Sequence, residues 1–359
     1  MNENDYLVWL RSISGVGNQT IEYLIKKFGN AKNIYNASIE DIKKLSGINK
    51  SVIHNIIENK DLCMISRWRE KMEKYKIDII TKKDKEYPKD LKYIYNAPYL
   101  LFKRGNFSDE DTNAVAIVGS RKASPYGKYV AYHLAKELAQ RKITVVSGMA
   151  YGIDTMAHKG AIENGGRTIS ILGCGLNICY PKTNQKLMLE IEKSGVLLSE
   201  YGVDVEPLPQ HFPARNRIIS GIAKGLIVVE AGIKSGSLIS AELALEQGKE
   251  VFAVPGNINH PLSEGTNRLI QQGAKLVTNI EDVLEELNIG NDPNPIKNLI
   301  HLSDIEKEIY YAIYKSQPMH LELICQQLNL RIDEINGILT VLELKDMIKQ
   351  LPGNLFMIK

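Results

Sequence analysis

Six short runs of apolar, mostly β-branched residues alternate with amphipathic segments between residues 110 and 285. The runs are Ala114–Val118, Ile143–Val146, Thr168–Leu172, Val196–Leu198, Leu226–Val229 and Val251–Val254. Amphipathic segments such as Tyr129–Gln140 and Ser237–Gln247 lie between them. Strands that alternate with helices at this spacing pair in parallel, with helices on both faces of the sheet. The pattern predicts an α/β fold, an extended Rossmann-like, doubly wound parallel sheet, in a domain at residues 66–288.

The first 65 residues predict a helical domain with an internal repeat. Ile13-Ser14-Gly15-Val16-Gly17 precedes the amphipathic segment Thr20–Phe28, and Leu45-Ser46-Gly47-Ile48-Asn49 precedes Ser51–Glu58. Two such turns between short helices indicate a SAM-like helix-hairpin-helix module at residues 1–65. The backbone amides of these turns can meet a phosphate, although Asn49 stands where glycine is usual. The sequence leaves two roles open for this module, direct DNA contact and helical packing alone.

The last part of the chain predicts a winged helix. Residues 289–300 are rich in Asn, Asp and Pro and indicate a linker. Residues 301–359 follow with helices at Asp304–Lys315, Leu321–Leu328 and Ile332–Lys345 and a short hairpin that ends at Ile358. The third helix carries the acidic residues Asp333, Glu334, Glu343 and Asp346 against Arg331 and Lys345. Because a helix that reads a DNA groove needs the opposite balance, protein contact or packing is favoured here.

Composition excludes several classes of protein. A net charge of +3 from 45 basic and 42 acidic residues does not announce a nucleic-acid partner, so DNA binding would need a local patch. No apolar run approaches the roughly 20 residues that span a bilayer, and the acidic N-terminus does not look like a secretory signal. The four cysteines are scattered, which predicts a reduced, cytoplasmic protein without a zinc site.

The carboxyl ends of the predicted strands define the expected binding face, because ligands of doubly wound sheets bind there. Gly119-Ser120-Arg121 follows the first strand, and Pro125 opens the next helix. Amides at that helix start would accept an anion, and the Arg121 guanidinium would add donors. Lys182, at another strand end, is either a second cation for the ligand or an ordinary surface lysine.

The segment His211-Phe212-Pro213-Ala214-Arg215-Asn216-Arg217 carries the strongest chemical signal. It places an aromatic ring, an amide and two guanidinium groups just before a predicted helix, as stacking on a base and holding its phosphates require. No nucleophile with an adjacent base accompanies it. Asp154 and His158, four residues apart on a predicted helix, could form an acid–base pair, but such a pair is more often structural. We therefore expect no catalytic residue, metal or cofactor.

Taken in order along the chain, these motifs resemble the DprA/Smf family of DNA-processing proteins. The resemblance rests on Gly119-Ser120-Arg121, Ser147-Gly148 through His158, Gly173-Cys174-Gly175, Tyr180-Pro181, Ser199-Glu200-Tyr201, Phe212-Pro213, Arg215-Asn216-Arg217, Ser235-Gly236-Ser237 and Val254-Pro255-Gly256. It implies a cytoplasmic bacterial protein that binds single-stranded DNA and loads the recombinase RecA onto strands coated with single-strand binding protein, during natural transformation. It also implies a strand-binding pocket formed by Gly119, Ser120, Arg121, Phe212, Arg215, Asn216 and Arg217.

The resemblance further implies a homodimer, for which Leu269 and Ile270 are candidates. They lie on a predicted helix and either face outward or belong to its core side. Two other classes compete with DNA binding. The nucleotide phosphoribohydrolases of the lysine-decarboxylase-like family need a Pro-Gly-Gly-x-Gly-Thr-x-x-Glu signature, which is broken here because Glu242 comes two residues late. A nicotinamide dehydrogenase would need Gly-x-Gly-x-x-Gly after the first strand, and this chain lacks it.

Overall fold

The computed structural model describes residues 1–289, 302–328, 330–345 and 347–358. The chain divides into two compact units, residues 1–289 and residues 290–359. Apart from Ile289, the predicted linker at residues 289–300 lies outside the described residues. Among the helices described, none is long and apolar enough to cross a membrane.

Six helices form the N-terminal part of the first unit. They are α1 (Glu3–Ser12), α2 (Asn18–Phe28), α3 (Ala31–Asn36), α4 (Ile39–Lys43), α5 (Lys50–Glu58) and α6 (Leu62–Lys74). The two predicted turns lie between α1 and α2 and between α4 and α5. Gly15 and Gly47 have φ values of +85° and +78°, which glycine adopts without a Cβ penalty. Asn49 caps α5, where its side-chain oxygen accepts a hydrogen bond from Ser51 N at 3.1 Å.

A nine-stranded sheet organises the rest of the first unit, in the order β1-β2-β6-β5-β4-β3-β7-β8-β9. The strands are β1 (Asp78–Thr81), β2 (Leu100–Gly105), β3 (Ala114–Val118), β4 (Thr144–Ser147), β5 (Thr168–Leu172), β6 (Val196–Ser199), β7 (Gly225–Val228), β8 (Glu250–Ala253) and β9 (Lys275–Leu276). Strands β3 to β9 pair in parallel, whereas β2 pairs antiparallel with both β1 and β6. The predicted α/β sheet is confirmed, and the antiparallel extension is additional.

Helices cover both faces of this sheet. They are α7 (Pro125–Gln140), α8 (Ile153–Ile162), α9 (Gln185–Ser194), α10 (His211–Ile222), α11 (Gly236–Glu246), α12 (Glu264–Gln271) and α13 (Glu281–Leu287). Along β3, Val115 and Ile117 pack in the cluster that contains α7 and α8, whereas Ala116 and Val118 pack in the cluster that contains α10 and α11. Alternate side chains of a buried strand thus serve opposite faces. The carboxyl ends of the parallel strands remain as one shared edge.

The second unit is a winged helix, as the sequence predicts. Its elements are α14 (Asp304–Lys315), β10 (Met319–His320), α15 (Leu321–Leu328), α16 (Ile332–Leu344), β11 (Ile348–Leu351) and β12 (Leu355–Ile358). The two basic residues of the predicted third helix are already paired, Arg331 with Asp333 at 2.8 Å and Lys345 with Glu306 at 2.7 Å. Asp346 lies outside the described residues.

Candidate nucleic-acid interface

The turn after β3 is held tightly at the carboxyl edge of the sheet. Ser120 N donates to the backbone oxygen of Glu230, and Ser120 Oγ accepts from Lys122 N at 3.1 Å. Ser120 is buried and Gly119 is half-buried. A Cβ on Gly119 would meet the Ile153 side chain at 2.6 Å, so this position favours glycine. Gly119 and Ser120 therefore shape the turn, and Arg121 is the residue of this triplet that is exposed to solvent.

The start of α7 already holds an anion, which corrects the expectation that it would bind one from a ligand. Ser124 caps the helix and Pro125 is its first residue, as expected. The carboxylate of Glu230, from the loop after β7, accepts hydrogen bonds from Ser124 N at 2.9 Å and from Ser124 Oγ. A Cβ on Gly127 would collide with the same carboxylate. The positive end of the helix dipole is thus neutralised from within the protein.

Arg121, Phe212 and Tyr180 form a surface cluster that we call the cation–aromatic site. The Arg121 guanidinium carbon lies 4.9 Å from the centroid of the Phe212 ring, and the Tyr180 ring lies 5.4 Å from it on centroids. Phe212 is half-buried, Tyr180 is 39% exposed, and Arg121 makes no ion pair within the described chain. The geometry is that of a cation over an aromatic face with that cation's charge still free.

Helix α10 begins at His211 and brings Phe212 to this edge. His211 Nδ1 lies 3.1 Å from the backbone oxygen of Gly173, and its ring stacks on Tyr201 with centroids 4.0 Å apart. A Cβ on Gly173 would meet the Phe212 ring at 3.0 Å, so the glycine after β5 leaves room for the ring to pack there. The start of α10 is therefore fixed to the ends of β5 and β6.

Arg215 belongs to the protein interior, contrary to the expectation that it would hold phosphate. It is 4% exposed, and its Nη1 donates to the backbone oxygens of Gly148, at 2.6 Å, and of Ile171. A Cβ on Gly148 would collide with the guanidinium. Burial lowers the pKa of Arg215 to about 10, so the group stays charged at neutral pH. It joins α10 to the ends of β4 and β5.

The Arg217 guanidinium is also bonded to another side chain of the protein. Its Nη2 donates to Glu200 Oε2 at 2.6 Å, and the other oxygen of Glu200 accepts from Asn18 Nδ2 at 2.6 Å. Asn18 is the first residue of α2, so the first hairpin of the N-terminal module is docked on the sheet domain at the end where a phosphate would bind. Asn216 Nδ2 donates to Gly236 O at 3.3 Å. The three side chains of the Arg-Asn-Arg triplet thus fix α10, which carries Phe212, to neighbouring parts of the protein.

Three further predicted residues lie elsewhere. Lys182 is exposed and follows Tyr180 by two residues, near the cation–aromatic site in the chain. Leu269 is 8% exposed and packs in the core with α10 and α11, so it does not face outward; Ile270 is partly buried against the same core. The outward orientation considered for Leu269 is therefore wrong.

Asp154 and His158 are both buried, and their hydrogen bonds go to other groups. Asp154 Oδ2 accepts from Ala150 N at 3.3 Å, whereas His158 lies 2.7 Å from Thr168 Oγ1 and accepts from Met149 N. Burial raises the pKa of Asp154 and lowers the pKa of His158 to about 3. A neutral, enclosed imidazole of this kind orders the loop after β4, as the structural interpretation expects. In the described residues, no group of three His, Cys, Asp or Glu side chains could hold a metal ion.

Sequence reasoning missed three contributors to the site. Tyr180 and Tyr201 enter the sequence analysis only through the family resemblance, although an aromatic residue beside a strand end is itself a stacking signal. Glu230 could not be found, because its partner Ser124 lies 106 residues away in the chain.

Comparison with known proteins identifies the class to which this chain belongs. The family model described as DNA recombination-mediator protein A matches residues 78–288, the DprA winged helix domain matches residues 293–354, and a SAM-like helix-hairpin-helix tandem matches residues 10–59. The DNA processing protein DprA of Streptococcus pneumoniae is 42% identical over 287 residues, which are 80% of this chain and 99% of that protein. Protein Smf of Escherichia coli is 47% identical over 205 residues, 57% of this chain and 55% of that protein.

Comparison with solved structures points to the same family. The X-ray structure of DprA from S. pneumoniae superposes with a TM-score of 0.70 at 41% identity and covers 79% of this chain and 97% of that one. A structure of DNA processing protein A from Helicobacter pylori, reported for its single-stranded DNA binding mode, gives a TM-score of 0.54 at 34% identity, with 59% of this chain and 95% of that one covered. The fold and the matches define a DNA recombination mediator. The chain belongs to the DprA/Smf family.

Proposed function

We propose that this protein binds single-stranded DNA at the cation–aromatic site and loads RecA onto that strand during natural transformation and recombination. The observation that carries the proposal is the free Arg121 guanidinium 4.9 Å from the Phe212 ring. An unpaired base can stack beside such a ring while the guanidinium binds the neighbouring phosphate. The relative from H. pylori, whose structure was reported for its single-stranded DNA binding mode, supports the same assignment here.

The roles of the other predicted residues follow from their positions. Lys182 is proposed as a second phosphate contact, and Ser120 and the Gly119 amide as assistants to Arg121, although the Ser120 amide itself is bonded to the backbone oxygen of Glu230. Arg215, Asn216 and Arg217 act indirectly, because their side chains hold α10 and hence Phe212 in place. Their contribution is the position of the ring rather than a contact with phosphate.

The proposed activity is binding without catalysis, in the cytoplasm. The two candidates for acid–base work, Asp154 and His158, are buried, and their side chains bond to backbone amides and to Thr168. The phosphoribohydrolase alternative is not favoured, because its glutamate signature is broken and because family membership points to recombination.

A homodimer is part of the proposal. Two strand-binding sites on one particle raise the effective concentration of the second contact and so the avidity for a long strand. Since Leu269 is buried, Ile270 is the remaining predicted residue with exposed surface for such a contact. The winged helix, whose third helix has both basic residues paired, is proposed to meet a protein partner.

RecA-dependent ATP hydrolysis on single strands coated with single-strand binding protein tests this function. We expect the protein to shorten the lag before hydrolysis without hydrolysing nucleotide itself. Arg121→Ala should lose the stimulation, whereas Arg67→Ala, an exposed arginine on α6, should retain it. Removal of residues 301–359 should spare most of the effect. If the cognate pair gives no stimulation at saturating DNA occupancy, the protein binds DNA without loading RecA.

A further inference from the structure

The exposed face of α7 carries aromatic and basic side chains that the proposed function does not use. We call Tyr126, Tyr129, His133 and Lys136 the α7 stripe; their spacing of three, four and three residues places them on one helix face. Tyr126 is 53% exposed and Tyr129 is 65% exposed. The rings of Tyr129 and His133 are nearly parallel, at 8°, with centroids 5.7 Å apart. The opposite face of α7 supplies the core, so these rings are not needed for packing.

The charges around the stripe suit a polyanion. Lys136 and Lys122, which lies in the turn before α7, take part in no ion pair within the described chain. The helix has one acidic residue, Glu137, which pairs with Arg141 at 3.6 Å and lies 3.0 Å from His133 Nε2. The stripe therefore offers free cations beside exposed rings and leaves no carboxylate of α7 unpaired.

The stripe also begins close to the cation–aromatic site along the chain. Helix α7 begins four residues after Arg121, and the intervening turn is clamped to the start of α8, since a Cβ on Gly152 would collide with the Ser120 and Arg121 oxygens. From Tyr126 to Lys136 the helix advances about 15 Å. Tyr126, the first residue of the stripe, is therefore five residues from Arg121 in the chain, and the stripe extends from there along α7.

We propose that the α7 stripe is the second segment of a single-stranded DNA path, in which bases stack on Tyr126 and Tyr129 and phosphates bind Lys122 and Lys136. This inference rests on the proposed function, because the strand must first enter at the cation–aromatic site. A nucleic acid is favoured over a protein partner because two cations without ion pairs in the described residues, Lys122 and Lys136, lie before and after the row of exposed rings. Sequence-independent strand binding uses this combination of stacking rings and a basic track.

Oligonucleotide length separates the two segments. Fluorescence anisotropy would compare oligothymidylates from about 4 to about 16 nucleotides, a span of site sizes typical of single-strand binding folds. Tyr126→Ala/Tyr129→Ala should bind the longest oligonucleotide at least about fivefold more weakly than the unaltered protein and the shortest one equally well. Tyr126→Phe/Tyr129→Phe should restore binding. Tyr93→Ala/Tyr95→Ala, which removes two rings that are 87% and 85% exposed on another segment of the chain, is the matched control and should change nothing.

Other results would overturn either the α7 path or the proposed function. Unaltered affinity of the double alanine variant at every length overturns the inference, and so does an equal loss at every length. Unaltered DNA affinity with a shift from dimer to monomer in sedimentation assigns this face to a second copy of the chain and also overturns it. If Phe212→Ala has no effect at any length, the proposed function itself fails. If Phe212→Ala weakens all lengths while the double alanine variant weakens none, only the α7 path fails.

Discussion

Arg217 donates a hydrogen bond from Nη2 to Glu200 Oε2 at 2.6 Å, in a partly buried position. The same carboxylate accepts from Asn18 at 2.6 Å and lies 3.9 Å from Arg11. Glu200 is 5% exposed and joins the helix that carries Phe212 to the first hairpin of the N-terminal module. One buried carboxylate therefore serves two guanidinium groups and an amide.

The first prediction concerns this carboxylate. Glu200→Gln leaves the buried guanidinium of Arg217 without a counter-charge, which should lower the free energy of unfolding by about 3 kcal/mol. The measurement is the urea midpoint of the full chain. Glu242→Gln, at an exposed glutamate on α11, is the control and should shift the midpoint little. A Glu200→Gln protein as stable as the unaltered chain would contradict the role given to Glu200.

The second prediction separates the two arginines that the sequence treats alike. Arg121→Ala should weaken single-strand binding and reduce the slope of log K against log salt by about 0.7, the value for one lost phosphate contact on a single strand. Arg217→Ala should leave that slope unchanged in the protein that remains folded, because its guanidinium pairs with Glu200. Titrations at several salt concentrations measure both slopes. Equal changes in slope would place both arginines on the DNA.

The difference between these arginines shows that the sequence predicts the strands and their ends but not which side chains are buried at those ends. Strands β3 and β5 were predicted with the bounds that the structure has, because each is a continuous apolar run buried on both faces. The position of Arg121 at the carboxyl edge follows from that topology, whereas the position of Phe212 there depends on its packing against Gly173. The burial of Arg215 could not be predicted, because its acceptors are the backbone oxygens of Gly148 and Ile171, and a backbone acceptor leaves no pattern in the sequence. Strands β1 and β2 were missed because they add to the sheet antiparallel, outside the alternating pattern.

The third prediction concerns the proposed dimer. Leu269→Glu should destabilise the fold, because it places a carboxylate in the core where no partner is available. Ile270→Glu should instead yield a folded protein that is monomeric by light scattering, if the partly exposed Ile270 lies in the interface. Circular dichroism distinguishes the two outcomes. A folded Leu269→Glu monomer would contradict the burial of that side chain, and a dimeric Ile270→Glu protein would exclude Ile270 from the contact.

The fourth prediction is a pH dependence of stability. His158 is neutral in the fold, where burial lowers its pKa to about 3, and it takes up a proton near pH 6.5 when unfolded. The unfolded state therefore binds more protons below pH 6.5, and stability should fall by up to about 1.4 kcal/mol per pH unit between pH 6.5 and 3. The neighbouring Asp154 acts in the opposite direction above pH 3.8, because its pKa is raised.

The variant His158→Gln isolates the histidine from Asp154. It should be less stable at pH 7, since it loses the contacts with Thr168 and Met149, but it should lose less further stability on acidification. Urea midpoints from pH 7 to pH 4 measure the effect. Parallel stability profiles for the two proteins would show that His158 does not titrate with a lowered pKa.

The most direct test of single-strand binding at the cation–aromatic site is a competition between single-stranded and duplex DNA of the same length, for the unaltered protein and for Phe212→Ala. The unaltered protein should prefer the single strand, because only unpaired bases offer a free face to the Phe212 ring. Phe212→Ala should lose roughly 1–3 kcal/mol of single-strand affinity, keep its salt slope, and lose most of the preference. Equal affinity of the unaltered protein for both forms, or a full preference in Phe212→Ala, would contradict the account.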